Sequence, residues 1–231
     1  MSPDIQPLLD SWPFDPDRLN ARLVELADGR SVIQVRVELG LLQMELTGRP
    51  DGGRDVLELA DTKLKKDPQF AIDAQLAAEL RAEAVQVHQR YVARLALEDY
   101  AGVVEDTIRN LRVFDLCRDH AEAPEDRRVL ERFRAQVVAT RARAAALQAI
   151  RDQRISDARA LLDQAIDEIR IATTEEGSEP PEVTMLEGMR DVLQPRLPMS
   201  QRYELERRLT SALASENYEL AAILRDELRQ L

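Results

Sequence analysis

Cys117 and His120 are the first residues whose types and spacing suggest chemistry. A thiol and an imidazole three residues apart, with Asp119 between them, can act as nucleophile and base or supply two metal ligands. Two ligands do not close a zinc site, and with one cysteine in the chain no second thiol can help complete it. A histidine at a helix end also serves by facing the last carbonyls, which is the role expected of His120. His88 lies in a different helical segment. The glycines from Gly48 to Gly53, like Gly29, lack a following Lys-Ser/Thr and so form no phosphate cradle. Arg134, Arg141, Arg143 and Arg151 make one helix locally basic, which could touch RNA or DNA. With Asp152, Asp157 and Asp163 close by, the arrangement reads instead as a solvated, ion-paired face. No catalytic, metal or cofactor residue is assigned, no cofactor is expected, and the chain is expected not to be an enzyme.

Composition narrows the partners. In 231 residues, 43 acids against 32 bases give a net charge of −11, so the overall field repels phosphate backbones and anionic lipid. Nucleic acid is therefore an unexpected partner and a membrane surface is excluded. No apolar run is long enough for a spanning helix, and Met1-Ser2-Pro3-Asp4 does not start like a signal peptide, which together predict a cytoplasmic protein.

Little Gly, few aromatic residues and abundant Ala, Leu, Glu and Arg predict an all-α fold, because unbranched side chains lose little rotamer freedom in a helix. Residues 1–15 are too rich in proline for regular structure, although Trp12 and Phe14 are expected to dock on the body. Asp15 and Pro16 should open a helix striped by Leu19, Leu23 and Leu26 and stopped by Asp28-Gly29. In residues 31–47, Ile33, Val35, Val37, Leu39 and Leu41 alternate as a strand would, while Ile33, Val37, Leu41 and Met44 share a helix face. Helix is expected, since no second strand is evident to pair with this one. Further helices follow: one with Val56, Leu57, Leu59 and Leu64, then about 70–98, then one from Asp99-Tyr100 through Leu116. An Ala-rich helix ends near Asp152, and another carries Ile155, Ala158, Leu162, Ala165 and Ile169. Residues 16–171 thus form a helical body. Residues 172–198 read as an acidic linker containing a short helix, and 199–231 as a terminal helical pair.

Three short turns are each followed by a large residue and then a smaller one at i+3: Tyr100 and Val103, Ile155 and Ala158, Tyr218 and Ala221. With the turn at Gly48 to Gly53 and the stop at Lys66-Asp67-Pro68, residues 30–171 resemble tetratricopeptide-type repeats, though the turns are irregularly spaced. An ordinary helical bundle would show the same stripes.

At the C-terminus, Tyr203-Glu204-Leu205-Glu206-Arg207-Arg208-Leu209 leads through Ala212-Leu213-Ala214 to Glu216-Asn217-Tyr218-Glu219-Leu220-Ala221-Ala222-Ile223-Leu224-Arg225-Asp226-Glu227-Leu228. This run resembles the UVR motif, a helical hairpin found in the excision-repair proteins UvrB and UvrC and in regulators of Clp proteases. Spacing places Leu205, Leu209 and Leu213 opposite Ala221, Leu224 and Leu228 across a coiled-coil-like seam, with Tyr218 at the loop. Ala221 and Ala222 permit close helix approach, Leu220 and Ile223 are left over for an outer face, and Arg225 joins the residues expected to meet a partner. Two helices of this length cannot enclose a core alone. The resemblance implies docking of a protein partner or of a second copy, with a repair accessory role or regulation of a Clp-type protease as alternatives. Trp12-Pro13-Phe14-Asp15-Pro16, Ile33 to Glu45, Gly48 to Gly52 and Asp99 to Val104 further resemble bacterial UVR-motif proteins, a likeness that implies no activity. The nucleotide-binding loop of UvrB and the cysteine zinc sites of the UVR-bearing kinase activator have no counterpart here.

Overall fold

The computed structural model describes residues 4–173, 179–193, 199–214 and 218–229. It divides into two compact units, Met1–Glu187 and Gly188–Leu231. In chain order the elements are α1 (Gln6–Ser11), β1 (Asn20–Glu25), β2 (Ser31–Val37), β3 (Gly40–Glu45), α2 (Val56–Lys66), α3 (Ala74–Ala96), α4 (Tyr100–His120), α5 (Pro124–Arg128), a 3-10 turn (Glu131–Phe133), α6 (Arg134–Arg151), α7 (Ile155–Ala172), α8 (Pro181–Val192), α9 (Met199–Ala214) and α10 (Tyr218–Arg229). The protein is predominantly helical, as its composition predicts.

The first 45 residues depart from that prediction. Residues 6–11 form the short helix α1, and the helix expected after Pro16 is replaced by a loop and β1. The helix expected over 31–47 is replaced by β2 and β3, which join β1 in an antiparallel sheet ordered β1-β2-β3. Strand partners therefore did exist, on either side of β2 in sequence. Leu23, Ile33 and Met44 stand in line across the sheet, as do Ala21, Val35 and Leu42. Ile33, Val35 and Met44 pack on Ala93 of α3, which buries the centre of that face, while Leu23 and Leu42 at its flanks stay exposed. On the opposite face Gln34 accepts from Arg22 and donates to Gln43. Trp12 covers this polar line: Arg36 donates to its carbonyl, and the Arg22 guanidinium lies 4.1 Å over its ring. Covered on both faces, β2 carries five consecutive buried residues, Val32 to Arg36. Asn20 bonds the Asp15 N–H and the Asp15 and Arg18 carbonyls, so Asp15 ends up in a turn and caps no helix.

The helices of the body stack consecutively, with α3 on α4, α4 on α6 and α6 on α7. The α3–α4 and α6–α7 connections share one conformation. Glu98 and Gln153 both have positive φ, 57° and 61°, and each precedes a residue with ψ near 66–69° that opens the next helix. Val103 and Ala158, the smaller residues of the two turns, are both fully buried. In α8, Val183 and Leu186 are buried, and Arg170 at the end of α7 holds Glu179 and Glu187. The first unit accordingly continues through Glu187, beyond the start of the acidic stretch; residues 174–178 and 194–198 lie outside the described residues.

Charged side chains join the sheet to the helices. Glu83, fully buried on α3, accepts from the N–H groups of Val56 and Leu57 and pairs with Arg109. It thereby satisfies two donors that α2 leaves open at its N-terminus. Asp55 caps the same helix through the Glu58 N–H. Burial would raise the Asp55 carboxyl, but hydrogen bonds from Arg109 and the Glu58 N–H hold it below the usual carboxylate range. Two turns along α3, Arg90 binds Asp106 through two nitrogens at 2.6 and 2.9 Å and also donates to the Glu45 and Gly48 carbonyls. Arg94 donates to the Leu46 carbonyl.

Gly102, in the first turn of α4, is required by this packing. A Cβ there would collide with the Arg94 guanidinium and the Asp99 carboxylate that caps α4. Gly102→Ala should lower stability by about 1–3 kcal/mol through overpacking, reversing the gain of about 1 kcal/mol that such a change gives in an open helix. A urea titration of variant and parent checks the sign, and a stabilised variant would show that Arg94 moves aside freely.

Candidate docking site

The second unit contains the residues that sequence reasoning selected. On α9, Leu205, Leu209 and Ala212 recur at i, i+4 and i+7; on α10, Ala221, Leu224 and Leu228 recur at i, i+3 and i+7, so each helix presents one apolar stripe. Three residues separate the helices, short enough to require an antiparallel pair. Ala212, Ala221 and Leu224 are buried at its centre, with Leu205 and Leu209 packed against them. The two alanines allow the backbones to approach, and Leu224 fills the space between. Leu228 and Ala222 are half-buried.

Leu213 does not join the seam. It is 51% exposed, and Ala212 occupies the inner position beside it. Tyr218 is 68% exposed at the start of α10. Ile223, 59% exposed, and Leu220 lie at i, i+3 on the outer side of α10, with Arg225 also exposed. The loop residues Ser215, Glu216 and Asn217, and the side chains of Tyr203, Glu204, Glu219, Asp226 and Glu227, lie outside the described residues. The pair thus has a small sealed seam, with Leu213, Tyr218, Leu220 and Ile223 exposed among charged neighbours on its outside. Residues 199–231 contain six acids and five bases, so the element itself is nearly neutral in a strongly acidic chain.

Residues 203–231 match the UvrB/uvrC motif. The match covers the seam of the UVR hairpin together with the exposed positions on α10. Neither a curated protein nor a solved structure matches the chain.

The other residues considered for chemistry occupy structural positions. Cys117 is fully buried in α4, and burial pushes its thiol up to about 11, so it is protonated at neutral pH and neither nucleophile nor ligand in that state. His120 is the last residue of α4, and its carbonyl accepts from Ile72. Among the described residues, no group of three or more His, Cys, Asp or Glu side chains is placed to hold a metal ion. None of their helices is long and apolar enough to cross a membrane. Three of the four arginines of the basic helix are engaged: Arg134 with Asp115 and Glu131, Arg141 with Glu168, and Arg151 with Gln148 and the Tyr100 ring. Their acidic partners come mainly from neighbouring elements, not from the aspartates that follow in sequence.

Proposed function

We propose that the chain is a non-enzymatic adaptor whose UVR hairpin docks a protein partner or a second copy of itself. The observation that carries this reading is the exposure of Leu213, Tyr218, Leu220 and Ile223 on a two-helix element whose own seam consumes only small and leucine side chains. Apolar side chains at such positions gain by burial against another surface. The near-neutral hairpin suits an apolar dock better than a phosphate backbone, and the engaged arginines of α6 favour the same choice. The body would act as the carrier. The turn conformation shared by the starts of α4 and α7 supports its tetratricopeptide-like reading. The motif match favours a narrower form in which the partner belongs to excision repair; regulation of a Clp-type protease is the other form this reading admits.

Salt separates apolar docking from nucleic-acid binding. Sedimentation of the full chain with captured partner should show a complex that persists as salt is raised from 50 to 200 mM, the range over which several phosphate contacts lose about 1,000-fold or more in affinity. A complex that dissolves over that range, or that disappears on nuclease treatment, would replace the adaptor reading with a nucleic-acid one.

A further inference from the structure

Away from the hairpin, α3, α4, the 3-10 turn and α6 enclose a cavity of about 320 Å³. That volume falls at the small end of ligand-binding sites. Its floor is apolar and buried, formed by Ala84, Tyr91, Phe114, Leu130 and Val137. Val85 and Phe133 stand at its mouth, 57% and 40% exposed.

Three polar features line this apolar space. Asn110, 2% exposed, donates through Nδ2 to the Ala84 carbonyl, while its buried Oδ1 has no hydrogen-bond partner. That oxygen is sealed from solvent, so Asn110 braces the wall between α3 and α4 and is out of reach of an occupant. His88 Nδ1 lies 2.6 Å from the Tyr91 hydroxyl, with the rings edge to face. Burial lowers the His88 pKa and raises the Tyr91 phenol to about 12, which keeps this pair uncharged at neutral pH. Charge is confined to two lining arginines. Arg81 is committed to Asp126. Arg132 lies 4.6 Å over the Phe133 ring, and no carboxylate among the described residues pairs with it; the neighbouring Glu131 is taken by Arg134.

We propose that this cavity binds a small organic acid: an aromatic or branched aliphatic body fills the floor, and the carboxylate remains at the mouth beside Arg132. The apolar walls select the body. The unpaired guanidinium selects the anion, which it can hold in a bidentate pair.

The chain contains only two histidines, His88 and His120, so the imidazole C–H signals provide one reporter in the cavity and one outside it. The full chain is titrated with para-hydroxyphenylacetate and, in parallel, with para-cresol, which lacks the carboxylate. The acid should shift the His88 signals saturably and leave those of His120 in place. Arg132→Gln, an exposed substitution that the fold tolerates, should weaken the acid about tenfold and leave para-cresol unaffected. The proposal is overturned if His88 does not respond, if both histidines shift together, or if Arg132→Gln leaves the affinity for the acid unchanged. Para-cresol binding as tightly as the acid also overturns it, because the cavity would then suit an apolar side chain better than an anion.

Discussion

Asp106→Ala is expected to cost about 3–5 kcal/mol, the usual scale for stranding a buried charge. The Asp106 and Arg90 side chains are 4% and 2% exposed and joined by two hydrogen bonds, with Arg94 Nε a further 3.4 Å from the same carboxylate. Removing the carboxylate leaves two guanidinium groups in the interior with one negative partner fewer. A domain stable by about 5–15 kcal/mol would lose a large share of its margin. Arg90 also holds the Glu45 and Gly48 carbonyls, so the turn between sheet and α2 should loosen with it. Urea unfolding measures the loss. Replacing both members, Arg90→Met with Asp106→Leu, should recover much of it, because an apolar pair leaves no stranded charge. A loss below about 1 kcal/mol for Asp106→Ala would mean that water reaches the site and solvates the arginines.

The network was hidden in the sequence for a physical reason. Glu83, Arg90 and Arg94 resemble the charged positions of any exposed helix. Their phase says otherwise: they continue the stripe of Leu76, Leu80, Ala84, Val87 and Tyr91 at core positions. Charges of both signs on an apolar stripe, opposite Asp106 and Arg109 on the next helix, were the available signal. The α-helical body was legible because Asp-Pro, Asp-Tyr and Gly-rich breaks punctuate it and its stripes follow the helical period. The sheet was not, because Leu19, Leu23 and Leu26 also fit that period, and whether β2 had partners depended on how its neighbours were read. In the hairpin, Leu205, Leu209, Ala221 and Leu224 were legible from spacing. The choice between Ala212 and Leu213 was not, since the close approach of the two backbones favours the smaller residue inside.

The proposed docking role makes the second large prediction. Leu220 and Ile223 share the outer side of α10, and each aliphatic side chain buried at an interface contributes roughly 1.5–3 kcal/mol. Losing both should weaken association by about 100-fold or more. Glutamate adds the cost of desolvating a charge, so Leu220→Glu with Ile223→Glu should abolish docking outright. The seam of Ala212, Ala221 and Leu224 is untouched, so helix content and melting should stay close to those of the parent. The deciding measurement is sedimentation velocity of parent and double variant, alone and with captured partner, alongside thermal melts of both. The adaptor account predicts a parent that co-sediments with its partner or self-associates, and a variant that melts normally but sediments alone; a variant that still associates, or one that unfolds, would contradict it.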